Sequence, residues 1–265
     1  MIEKILNKIS NATNNQEIEF GLIIGSGLNN ILAPEKILSI PYNQIPNFPK
    51  TKISGHLGTL DIVEISGKKI AVLNGRCHFY ENGDASLMYG PIMTLKKLGI
   101  KKIIITNSAG SLKKKMLPGS IMIIKDHINF TGQNPLIGLG NDGVFVDMVN
   151  AYDKKLIKRF INAAKSEKIK IHTGVYTWFS GPTFETPAEI NLLKKIGSNA
   201  VGMSTVPEVI ICRYLNIKVL GISVITNFAA GLCKKEISHE QTKLVAPEGG
   251  NKIKKVLNSF LREKQ

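Results

Sequence analysis

The chain has 265 residues, with 35 Lys+Arg against 20 Asp+Glu and a formal charge of +15. Hydrophobic residues at 43% and charged residues at 21% exclude a disordered chain, and a chain this long buries about three quarters of its unfolded surface. No apolar run approaches the ~18 residues of a membrane span. The opening MIEKILNKIS lacks a signal peptide's continuous apolar stretch. Cys77, Cys212 and Cys233 are too scattered for a disulfide framework or a zinc knuckle. A cytoplasmic protein with no membrane partner is expected.

The basic charge invites a nucleic-acid reading, which the distribution argues against. Of the 35 basic residues 31 are Lys, and most lie singly or in pairs such as Lys68-Lys69 and Lys101-Lys102. Nucleic-acid binders cluster their charge and add Arg and stacking aromatics, and aromatics here are 6%. A solvated lysine surface is expected. Arg76 stands out as the only arginine in the first 150 residues, which points to a position that needs a planar fork.

In chain order, a helix is expected over 2–11, a strand over 20–24 and two strands over 60–65 and 69–74. A helix over 87–98 leads to strands at 102–106 and 121–126, then a helix over 153–167 capped by Asp153. A strand at 174–180 precedes helices at 187–196 and 207–215, whose first turns accept Pro187 and Pro207. A strand at 218–226 and a helix at 250–263 follow. Continuous apolar runs such as IIIT and VLGISVIT are expected of strands covered on both faces. Strand–helix alternation without a linker predicts a single α/β domain over 1–265, with a central, mostly parallel sheet flanked by helices. The Gly/Asn-rich stretch 138–143 reads as a surface loop.

Three small-residue turns are expected at strand ends: Gly25-Ser26-Gly27, Asn107-Ser108-Ala109-Gly110 and Ser180-Gly181-Pro182. Open α/β sheets bind ligands there, and such turns offer backbone N–H groups to an anion. Gly25-Ser26-Gly27 alone lacks the third glycine of a dinucleotide fingerprint and the Gly-Lys-Ser/Thr of a P-loop. The segment from Arg76 to Tyr80 is more specific. If extended, it turns Arg76, His78 and Tyr80 to one face and Cys77 and Phe79 to the other. One face then carries a fork, an imidazole and a hydroxyl suited to an oxyanion. Cys77 reads as a small buried hydrophobe rather than a nucleophile.

These segments occur with others in a fixed order. They include Gly55-His56, Gly75-Arg76-Cys77-His78-Phe79-Tyr80-Glu81, Thr106-Asn107-Ser108-Ala109-Gly110 and Asp126-His127-Ile128-Asn129. Further on stand Gly132-Gln133-Asn134-Pro135-Leu136, Gly181-Pro182-Thr183-Phe184-Glu185-Thr186, the run from Val201 to Glu208, Thr226-Asn227 and His239-Glu240. From about residue 20 to 245 the sequence resembles the trimeric purine nucleoside phosphorylases that act on 6-oxopurine nucleosides.

The resemblance implies the nucleoside phosphorylase fold, reversible phosphorolysis in purine salvage, inorganic phosphate as co-substrate, no other cofactor, no metal and a homotrimer. It assigns phosphate to Ser26, His56, Arg76, His78, Ser204 and the backbone N–H of Ser108. The sugar falls to Tyr80, Met203 and His239, the last at the 5′-hydroxyl. The base falls to Ala109, Phe184, Glu185, Val201 and Asn227, with Asn227, Glu185 and His78 as the catalytic set. Phe145 is implied to close a neighbouring subunit's pocket. Ser108 stands where many relatives carry alanine, and its hydroxyl is expected to offer phosphate an extra donor.

Alone, Glu185 would read as a helix-start carboxylate and Asn227 as a strand-end residue. Methylthioadenosine phosphorylase is the close rival, but it typically carries aspartate in place of Asn227 and an apolar residue in place of His239. A xanthosine-preferring phosphorylase is a second alternative. A Rossmann oxidoreductase lacks its fingerprint here, and neither nucleic acid nor membrane is an expected partner.

Overall fold

In a computed structural model of the chain, residues 2–28, 36–49, 57–140, 142–233 and 237–263 are described. Helix α1 (Ile2–Ala12) leads into β1 (Ile18–Ile23), β2 (Lys36–Pro41), β3 (Thr59–Ile65) and β4 (Lys68–Asn74). Helix α2 (Tyr89–Lys97), β5 (Lys102–Ser111), β6 (Ile121–Asn129), α3 (Lys154–Ser166) and β7 (Ile171–Trp178) follow. The chain continues through α4 (Pro187–Lys195), β8 (Ala200–Gly202), α5 (Val206–Tyr214), β9 (Lys218–Phe228) and α6 (His239–Arg262).

The strands form one mixed sheet in the order β2-β3-β4-β1-β5-β8-β7-β6-β9, and β9 also pairs with β5. That second pairing closes β5, β8, β7, β6 and β9 into a ring, with β1 to β4 as a wing on β5. Both faces of the central strands are covered. Ile103 and Ile105 join one buried cluster with Trp178 and Tyr152, while Ile104 joins another with Phe20, Phe160 and Phe260. This is why their sequence is continuously apolar. Helix α3 buries Leu156, Phe160, Ala163 and Ala164, the one-sided stripe of a 3.6-residue period. Its Phe160 ring lies 5.7 Å from that of Phe260, and Phe160→Ala would cost about 3–5 kcal/mol. Asp153 caps α3 by accepting from the Leu156 N–H at 2.8 Å.

Four expectations are corrected. The expected turn at 107–110 is strand, because β9 pairs β5 along its whole length, from Lys102↔Lys218 to Ser111↔Phe228. The last helix starts at His239, not 250, although Pro247 lies inside it. Gly249 there lets α6 lie directly on Val224 of β9, where a Cβ would clash. The strand expected at 174–180 spans Ile171–Trp178. Strands β2 and β8 were not expected: β2 is a partly exposed edge strand, and β8 has only 3 residues.

Candidate active site

The cleft opens where β5 changes partners. On one edge β1 pairs with Ile103, Ile104 and Ile105, and β8 pairs with Gly110 and Ser111. Between them, 106–109 has no ladder partner on that edge, and the divergence leaves a crevice at the carboxyl end of β1. The turn after β1 comes close to β5 here. A Cβ at Gly25 would lie 2.7 Å from the Thr106 carbonyl oxygen and 2.8 Å from the Asn107 Cα. The Gly25 N–H donates to Thr106 Oγ1 at 3.0 Å, and Ser108 Oγ donates to the Ser26 carbonyl at 3.0 Å. The Ser108 hydroxyl therefore ties turn to strand, and the residue also lines the cleft.

Arg76, His78 and Tyr80 all line the cleft, while Phe79 packs against Trp178 with ring centroids 5.9 Å apart. The backbone is extended at His78 (φ −112°, ψ 151°), but Phe79–Glu81 forms one 3-10 turn, so the expected extended alternation stops at His78 and Tyr80 reaches the cleft from that turn. The His78 N–H donates to Glu81 Oε1 at 2.7 Å, and the His78 ring stacks on Tyr80 at 4.9 Å. Burial holds the His78 imidazole below its ordinary pKa, against the opposing pull of its hydrogen bond to Glu81. Cys77 is buried, and burial pushes its thiol up to about 12, so it is no thiolate nucleophile at neutral pH.

Arg76 is 1% exposed, and the protein binds both terminal nitrogens of its fork. Nη1 donates to Glu208 Oε1 at 2.7 Å and to Thr205 Oγ1 at 3.3 Å. Nη2 donates to the Thr106 carbonyl. Nε is buried with no partner among the described residues. Thr205 also accepts from Asn107 Nδ2 at 2.8 Å and lies 3.2 Å from Ser204 Oγ. Its φ of +77° is left-handed for a β-branched residue, a strain of about 1–3 kcal/mol that the surrounding bonds must hold. Ser204 is fixed further by its N–H donating to Tyr176 Oη at 3.3 Å.

Glu185 and Asn227 line the same cleft. The β5–β9 register slips at Ala109 and Gly110, which oppose Ile225 and Asn227 and leave Thr226 as the extra residue. Such a bulge re-aims side chains. Asn227 is fixed in orientation: Oδ1 accepts from Thr226 Oγ1 at 3.0 Å, and Nδ2 donates to the Phe228 carbonyl at 3.0 Å. Glu185 is 7% exposed, and burial raises its carboxyl to about 7.

The cleft encloses about 920 Å³, including its open mouth, and Ser26, Ser108, Ala109, Phe184, Val201, Met203, Ser204 and His239 all line it. Two expected residues are not there. His56 lies outside the described residues. Phe145 is 88% exposed and lines a separate depression with Ile137 and Val144. Asn107, Thr226 and Thr242 line the cleft as well, and none was expected to. Only the amphipathic period of α6, read through Pro247, could have signalled Thr242.

A family model described as the phosphorylase superfamily matches residues 19–262. Purine nucleoside phosphorylase 1 of Bacillus subtilis (strain 168) is 44% identical over 228 residues, covering 84% of this chain and 84% of that protein. Isoform 2 of the Schistosoma mansoni purine nucleoside phosphorylase, solved with cytosine and ribose-1-phosphate, superposes with a TM-score of 0.89 at 36% identity. That match covers 100% of this chain and 96% of the other. A second Schistosoma mansoni purine nucleoside phosphorylase, solved with inosine, has a TM-score of 0.88 at 32% identity, with the same coverage. The chain belongs to the purine nucleoside phosphorylase family of that superfamily.

Proposed function

We propose that the chain acts as one catalytic domain for the reversible phosphorolysis of purine nucleosides, with 6-oxopurine nucleosides preferred, and that it assembles as a homotrimer. The observation that carries this reading is the cleft itself. A buried arginine and two serines line it with a carboxyl and an oriented carboxamide, and Tyr80, Met203 and His239 join them in the same lining. This suits phosphate, base and sugar in turn.

In the forward direction a phosphate oxygen attacks C1′, the C1′–N9 bond breaks, and its electron pair leaves with the base. As this happens, N7 takes up a proton from solvent and the attacking hydrogenphosphate gives one up, so the products are the free purine, protonated at N7, and the pentose 1-phosphate. Positive charge grows on the sugar and negative charge on the base. Phosphate held by Arg76, Ser26, Ser204 and the Ser108 N–H, beside His78, faces the first. Asn227 faces the second, accepting from N7–H through Oδ1 and donating to O6 through its second Nδ2 hydrogen. Glu185 accepts from N1–H. Groups fixed before the reaction and aimed at developing charge usually supply the largest catalytic contribution. The phosphate is a co-substrate consumed in the step.

Incubating the chain with inosine, guanosine, xanthosine, adenosine and methylthioadenosine, with and without phosphate, tests the reading. Phosphate-dependent release of hypoxanthine and guanine is expected. Preferential cleavage of methylthioadenosine, or base release independent of phosphate, would overturn it.

A further inference from the structure

We propose that Glu208 is the positioning residue that aims Arg76 at phosphate, an inference that rests on the phosphate role proposed for Arg76. Glu208 is 2% exposed and stands at the third position of α5. Glu189 at the same position of α4 closes a capping box on Thr186. Glu208 instead brings Oε1 to 2.7 Å from Arg76 Nη1. With Thr205 at 3.3 Å and the Thr106 carbonyl on Nη2, both terminal nitrogens of the guanidinium are held by the protein. Its buried Nε–H is left without a partner among the described residues. Nε–H and one Nη2–H lie along one edge of a guanidinium, and two oxygens of a phosphate match that edge side-on.

A carboxylate this close to Arg76 reduces the positive charge that phosphate meets, so attraction is not its contribution. Aim is. If so, the reach of the residue at 208 matters more than its charge. Glu208→Asp keeps the charge and withdraws the acceptor by one methylene, whereas Glu208→Gln keeps the reach and removes the charge.

The test is the Kd of inorganic phosphate by calorimetry for wild type and both variants, with KM for phosphate and nucleoside alongside. Glu208→Asp should weaken phosphate about tenfold and Glu208→Gln less than about threefold, with the nucleoside KM within about twofold in both. An E208Q loss equal to or larger than the E208D loss would overturn the proposal in favour of charge balance. Unchanged phosphate Kd in both, with only a lower melting temperature, would overturn it in favour of a purely structural ion pair. A wild type that binds phosphate but cleaves no purine nucleoside would overturn the proposed function, and the three Kd values would still decide the role of Glu208.

Discussion

Ser108 Oγ lies 3.0 Å from the Ser26 carbonyl and donates to it, joining β5 to the turn after β1 where both line the cleft. The chain thus spends the hydroxyl at this position on the frame of the site. Ser108→Ala should cost about 0.5–1.5 kcal/mol of stability, the net worth of one neutral hydrogen bond. The phosphate KM should change less than about threefold, because the N–H offered to phosphate belongs to the backbone. Thermal unfolding and phosphate kinetics read the two effects separately. A tenfold rise in KM would show the hydroxyl on phosphate after all.

Arg76→Lys retains a positive charge but replaces a fork with a single ammonium. Glu208, Thr205 and the Thr106 carbonyl now share one fork, and a lysine that satisfies them has little left for ligand. A loss of kcat/KM of about tenfold or more is expected, about 1.4 kcal/mol upward, carried mainly by the phosphate KM. Wild-type phosphate kinetics in the variant would remove Arg76 from the anion site.

The role proposed for Glu185 predicts a pH-dependent reaction. Burial raises its carboxyl from 4.5 to about 7, and only the carboxylate accepts from N1–H. Inosine kcat/KM should therefore rise as pH increases through about 7, and Glu185→Gln should flatten that limb. The stability effect has the opposite slope. Between about 4.5 and 7 the folded state binds the proton that the unfolded state has lost, so stability falls as pH rises through that window. In unfolding scans across it, wild type should lose stability relative to Glu185→Gln as pH rises; a difference that stays constant would show that the assignment is wrong.

Phe145, 88% exposed, and Ile137, 75% exposed, line one depression outside the cleft. Apolar groups this open are expected to be covered by a second copy. The chain should sediment as a trimer, and Phe145→Ala should raise the nucleoside KM while leaving the phosphate KM near its wild-type value. A fully active monomer would contradict both parts.

Sequence reading found this cleft where local geometry repeats simply. Arg76 and His78 both line the cleft, as alternation along an extended segment predicts, and Asp153 caps a helix because its side chain is short and polar, whereas Tyr80 reaches the cleft from the 3-10 turn Phe79–Glu81. It missed features that long-range pairing decides. Residues 107–110 look like a turn, but β9 holds them in the sheet. Pro247 and Gly249 look like breaks, yet α6 runs through both because Gly249 lets it settle on Val224. Glu208 and Thr205 read as the start of a helix, and no local pattern reveals that their oxygens meet an arginine about 130 residues earlier.

Discrimination between bases should depend on Asn227, whose orientation the protein fixes at both ends. Oδ1 accepts from Thr226 and Nδ2 donates to the Phe228 carbonyl, each at 3.0 Å, so a flipped amide would set Oδ1 against the Phe228 carbonyl oxygen. A 6-oxopurine meets a donor at O6 and acceptors at N7–H and N1–H. Adenosine instead sets its 6-amino donors against Nδ2–H and an unprotonated N1 against Glu185. Two buried mismatches, each about 1–3 kcal/mol, should slow adenosine at least about 10³-fold relative to inosine. Asn227→Asp presents acceptors to both the 6-amino group and N7–H, so the gap should narrow. It also sets a carboxylate oxygen against the Phe228 carbonyl, where Nδ2 once donated. That repulsion should lower stability and raise the pKa of the new carboxyl, so the gain for adenosine should grow with pH. Glu185 still rejects N1, and inosine should remain the better substrate near neutral pH. Comparable wild-type kcat/KM for the two nucleosides, or a variant with the wild-type ratio at every pH, would show that Asn227 does not read the 6-position.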